Sequence, residues 1–83
     1  MTKLEEKLIE LEYEKIIKHF YYEKTFGEWK LSIEFLEGKI SHSCVFNYPV
    51  NRVFIKTQQD IDNLQQAFNQ LQLDLEVLKE YEC

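Results

Sequence analysis

Eighty-three residues carrying a net charge of −5, with 45% apolar and 14% aromatic side chains, describe one small domain with a real core rather than a disordered chain. A chain of this size hides only about 60% of the surface its unfolded form exposes, so the core is close to the minimum that sustains itself. The acidic balance speaks against direct binding to nucleic-acid phosphates, which takes clustered Lys and Arg. Two cysteines do not make a disulfide framework, and no apolar run approaches the ~18 residues of a membrane span.

From Thr2 to Glu23 the chain is rich in Glu, Lys, Leu and Ile with no Gly or Pro, which predicts a first helix over about 2–23. Thr2 and Glu5 are spaced as a capping box. Met1, Leu4, Leu8 and Leu11 fall on one side of that helix, and Ile9, Tyr13, Ile16, Ile17 and Phe20 roughly opposite, so its halves are expected to bury against different things. The charged opening, Met1 to Glu12, is unlike a signal peptide, and a cytoplasmic location is expected.

The period changes to two after Gly27. Trp29, Leu31, Ile33 and Phe35 alternate with Lys30, Ser32 and Glu34, predicting a strand over about 28–36. Glu37-Gly38 reads as a two-residue hairpin turn into a second strand over 39–46. Counting out from Leu36 opposite Lys39 places Phe35 against Ile40, Ile33 against His42, Leu31 against Cys44 and Trp29 against Phe46, all on one apolar face. After the turn residues Asn47 to Asn51, a short third strand is expected at 52–56. Lys30, Lys56 and Arg52 would then form a basic rim around Phe54 and Val45 on the outer face.

Thr57 and Asp60 are spaced to cap a second helix over about 58–82. Ile61, Leu64, Phe68, Leu71, Leu75 and Leu78 recur at steps of three and four as an apolar stripe. The same segment holds the whole net charge: Asp60, Asp62, Asp74, Glu76, Glu80 and Glu82 face only Lys79, whereas the acids and bases of residues 1–57 cancel. Leu73, Val77 and Tyr81 add a second stripe near its end. At about 1.5 Å per residue such a helix outruns a strand of seven or eight residues, and its last turns are expected to project past the sheet. The expected fold class is α+β, in the order α-β-β-β-α: a three-stranded antiparallel meander with two long helices packed on one face, forming a single domain over residues 1–83.

Reactive chemistry is sparse. Ser41-His42-Ser43-Cys44 is the one cluster of reactive side chains. His42 and Cys44 share a face and could form a base and nucleophile or two metal ligands, but on an apolar face they read as core residues. His19 has no His or Cys three or four residues away, the paired carboxylates Glu5/Glu6, Glu10/Glu12/Glu14 and Asp60/Asp62 read as solvated helix charge, and two separated glycines build no phosphate loop. No enzyme, cofactor or metal is expected. The surfaces that could bind are the acidic side of the second helix (Asp60, Asp62, Asp74, Glu76, Glu80) and the apolar stripes (Leu4, Leu8, Leu11 and Leu73, Val77, Tyr81), the latter also suited to a homodimer.

Small size, acidic balance, a Glu/Lys/Ile/Phe-rich composition and the order helix, three-strand meander, helix together resemble small phage-encoded inhibitors of the type II anti-CRISPR kind. That resemblance covers most of the chain in architecture and composition, without a diagnostic motif. It implies a protein that inhibits a host nucleic-acid-handling protein, presenting carboxylates where phosphates would sit. The alternative is an assembly module that forms a homo-oligomer through its helices.

Overall fold

A computed structural model describes residues 2–16, 21–47 and 56–82. The elements run α1 (Lys3–Glu10), β1 (Glu14–Ile16), β2 (Tyr21–Phe26), β3 (Trp29–Leu36), β4 (Lys39–Asn47) and α2 (Gln58–Lys79). The strands form one antiparallel sheet in the order β1-β2-β3-β4. The class is α+β as the sequence predicts, but the sheet has four described strands, of which β1 and the first half of β2 come from the segment expected to be helix.

The first helix stops early because its end is built as a turn. Leu11 closes α1, Glu12 takes a left-handed φ of 73°, and the Tyr13 N–H returns to the Leu8 carbonyl while the Glu12 N–H returns to that of Ile9, both at 2.9 Å. This is a Schellman motif, with Tyr13 and Leu8 as its apolar contact; both side chains are buried. Of the two apolar sides noted in residues 2–23, Leu4, Leu8 and Ile9 stay in α1, Tyr13 follows its turn and Ile16 ends β1, while Met1, Ile17 and Phe20 lie outside the described residues. In β2, Tyr22, Lys24 and Phe26 face one way while Tyr21, Glu23 and Thr25 face the other. Gly27, at φ 62°, turns β2 into β3, with Phe26 opposite Trp29.

The β3–β4 hairpin begins in the expected register, with Leu36 opposite Lys39 and Phe35 opposite Ile40, across a turn in which Glu37 and Gly38 both take positive φ. A bulge then inserts Ser41, so that Glu34 meets His42, Ser32 meets Cys44 and Leu31 meets Val45. One extra residue reverses the faces of everything beyond it. Val45 joins the core beside Leu31 and Ile33, whereas His42, Cys44 and Phe46, expected on the apolar face, lie on the opposite one.

A single cluster joins Leu8 of α1, Tyr13, the Trp29, Leu31 and Ile33 side of β3, and Ala67, Leu71 and Leu78 of α2, with Leu4, Leu11, Phe35, Val45, Leu64 and Leu75 packed around it. The capping boxes explain where the helices start. Thr2 Oγ1 accepts from the Glu5 N–H, and Thr57 and Asp60 exchange both bonds of the box at α2. The strand expected at 52–56 lies outside the described residues except for Lys56, which precedes the cap and donates its N–H to Asp60. Its companions Arg52 and Phe54, like His19 and Cys83, also lie outside them.

Candidate protein-binding surface

The long helix α2 carries three of the five large apolar side chains that are exposed among the described residues. Its buried line is Ala67, Leu71, Asp74 and Leu78, which leaves a wide arc open. On that arc Ile61 is 45%, Phe68 47% and Leu73 58% exposed. Leu75 is half-buried at the margin, and between α2 and β4 runs an open groove of about 390 Å³ lined by Ser43, Cys44, Gln65, Phe68, Gln72 and Leu75 among others. Amides dominate the exposed side and tie themselves into rows one turn apart, Gln58 to Asp62, Gln59 to Asn63 and Gln65 to Asn69, each at 3.0 Å.

The acidic residues are divided between structure and surface. Asp60 is held by the helix N-terminus: its carboxylate accepts from the Lys56 and Thr57 N–H groups, and these bonds keep its carboxyl below the usual range. Asp62 accepts from Gln58, and Glu76 and Glu80 stand exposed. Glu82 reaches back to accept from the Ile40 N–H at 3.0 Å, so the end of the helix is tied to the sheet and does not project.

Asp74 was expected on the acidic surface, and its 2% exposure places it inside the protein instead. Lys24 Nζ approaches Asp74 Oδ2 at 2.6 Å and donates also to the Leu11 carbonyl at 3.0 Å. The Tyr13 hydroxyl donates to the same Oδ2 at 2.8 Å, Gln70 donates to Oδ1 at 3.0 Å, and the ammonium lies 4.6 Å from the centre of the Tyr13 ring. Burial, followed by the hydrogen bond and the charge of Asp74, pushes the Tyr13 hydroxyl well above its ordinary range. Every member is satisfied, and among the described residues no buried side-chain polar atom lacks a partner. A satisfied network of this kind is compatible with a core where a lone charge would not be.

The apolar stripes also separate. Leu8 is fully buried and Leu4 and Leu11 pack against the core, so the stripe at the start of α1 is an internal face. Leu73 remains open, with Val77 and Tyr81 half-buried. Sequence reasoning missed Lys24 as a core residue altogether; the available signal was its place between Tyr22 and Phe26 in a stretch that alternates at period two. On the opposite face of the sheet, Lys30 pairs with Glu23 at 3.2 Å. Cys44 sits opposite Ser32 there, its thiol raised chiefly by burial, with a hydrogen bond from Ser32 working the other way and the charges of Glu34 and Glu23 adding to the rise. A raised thiol is a poor nucleophile at neutral pH. No group of three His, Cys, Asp or Glu is placed to hold a metal among the described residues, and no helix there is long and apolar enough to cross a membrane.

Protein-family models, curated proteins and solved structures give no match to this chain.

Proposed function

We propose that the chain is a non-enzymatic protein-binding module whose contact surface is the open side of α2. The observation that carries this reading is the exposure of Ile61, Phe68 and Leu73 on a helix otherwise clad in amides and carboxylates. Ile61 and Phe68, seven residues apart, share one side of this rigid element and Leu73 stands on the other flank of its open arc. Large apolar anchors are thus available to a partner along it, and the amides around them offer hydrogen bonds without a strong charge requirement. The test is retention of a partner by the tagged chain, compared with Leu73→Glu and Phe68→Glu. Retention lost in those variants supports the reading, and retention unchanged in both rejects it.

A second reading has support in three side chains. Asp62, Glu76 and Glu80 stay exposed on α2, an arrangement suited to occupying a phosphate-binding groove on a cytoplasmic nucleic-acid-handling protein, as in a phage-encoded anti-CRISPR-like inhibitor. Reversing Glu76 and Glu80 to Lys should then abolish inhibition and make binding insensitive to salt. Inhibition that persists after reversal rejects that mechanism. Asp60 and Asp74 are unsuitable for the test because both are committed to the fold.

A further inference from the structure

The open strip of α2 nearest β4 has a chemical symmetry of its own. Reading along it, Ile61, Gln65, Phe68, Gln72 and Leu75 run apolar, amide, aromatic, amide, apolar. Ile61 and Leu75 stand seven residues to either side of Phe68, and the two glutamines stand three and four residues away. Phe68 is also close to the midpoint of α2, Gln58–Lys79. A closed two-fold contact requires a patch complementary to itself, and this strip meets that requirement when a second copy of the helix is laid across it in the opposite direction.

We infer that the strip is the interface of a homodimer in which α2 packs antiparallel on α2 of a second copy, with the two-fold axis passing beside Phe68. This inference rests on the reading of α2 as a contact surface and names its partner. Phe68 of each copy meets its counterpart at the axis, and Ile61 covers the Leu75 of the other chain. Gln65 lies beside the other copy's Gln72, where the amides can bond to each other. The steps of three and four between these positions are those of a coiled-coil seam.

Charge favours the same orientation. The strip itself carries no acidic residue, so two chains of net charge −5 can approach along it without placing carboxylates face to face. Lys79 continues the strip by helical periodicity, and the antiparallel arrangement brings it to the other copy's first turn, where Asp60 and Asp62 lie. A parallel pair would set Lys79 against Lys79. The groove beside β4 has room, at about 390 Å³, for side chains of the second copy to enter. One pair of helix faces is at the small end of interface sizes, under about 1,200 Å² in total, the class of weak and transient contacts.

Light scattering across micromolar to millimolar concentration tests the inference. The expected result is a mass that rises from one chain to two, and that stays at one chain for Phe68→Glu with unchanged far-ultraviolet circular dichroism. Orientation is read from disulfides in a background with Cys44→Ser and Cys83→Ser. Chains carrying Gln65→Cys mixed with chains carrying Gln72→Cys should give mainly the mixed disulfide, and a predominance of disulfides between two chains that both carry Gln65→Cys would overturn the antiparallel arrangement. A wild-type chain of single mass throughout overturns the dimer; if it nevertheless retains another protein through Leu73 and Phe68, the contact surface stands without it. A dimer that survives Phe68→Glu overturns the dimer interface, whereas Leu73→Glu, which lies off the strip, should leave the dimer intact.

Discussion

Replacing Asp74 with leucine should come close to unfolding the protein. The substitution removes the partner of a lysine whose side chain is 9% exposed and leaves the Tyr13 hydroxyl without its acceptor. Breaking a buried ion pair from one side costs about 3–5 kcal/mol, and the stranded hydroxyl adds about 1–3 kcal/mol where the surroundings do not relax. A chain of 83 residues is held by about 4–12 kcal/mol in all, so the loss is comparable with the whole. The assay is urea unfolding followed by the fluorescence of Trp29, the single tryptophan and a buried one. Lys24→Met together with Asp74→Leu removes both charges, and this pair should recover most of the loss, giving a coupling of about 2 kcal/mol or more between the two positions. A single variant that loses less than about 1 kcal/mol, or a double variant no better than the single one, would refute the view that this pair is desolvated and interdependent.

Three further outcomes follow from local geometry. Glu12→Gly should stabilise the protein by about 0.5–1 kcal/mol in the same unfolding assay, because glycine takes the left-handed φ of 73° without the clash a Cβ brings, offset in part by its greater freedom when unfolded. Stability should fall as pH rises above about 10, by up to about 1.4 kcal/mol per pH unit, since the unfolded Tyr13 loses its proton there while the buried, raised hydroxyl keeps it and the native state then binds more protons; Tyr13→Phe should flatten that slope in a pH series of unfolding curves. Leu8→Ala, at a site with 0% exposure, should cost about 2–5 kcal/mol, and Leu73→Ala, at 58%, less than about 0.5 kcal/mol by thermal melting.

What the sequence made legible was set by short-range chemistry. The hairpin turn at Glu37-Gly38, the caps at Thr2 and Thr57 and the extent of α2 each depend on residues a few positions apart, and the structure has them at or within three residues of the expected places. Residues 14–16 and 21–23 read as helix because Glu, Lys, Ile and Tyr spaced at three and four satisfy a helix pattern locally, while the strands they belong to are stabilised by pairing, β1 on β2 and β2 on β3, and at Lys24 by a carboxylate 50 residues away. Propensity yields to tertiary context in such stretches. Asp74 was legible in part: on α2 alone it lies in line with Ala67, Leu71 and Leu78, and what the sequence withheld was the lysine from β2 that meets it there. The bulge at Ser41 had no turn residue to announce it, so His42 and Cys44 were assigned to the wrong face.

The salt link between Lys24 and Asp74 joins β2 to α2 across 50 positions of sequence. Ordering so long a span carries an entropy cost that the contact has to offset. The seat of the last helix and the inner face of β2 are therefore secured by one and the same bond.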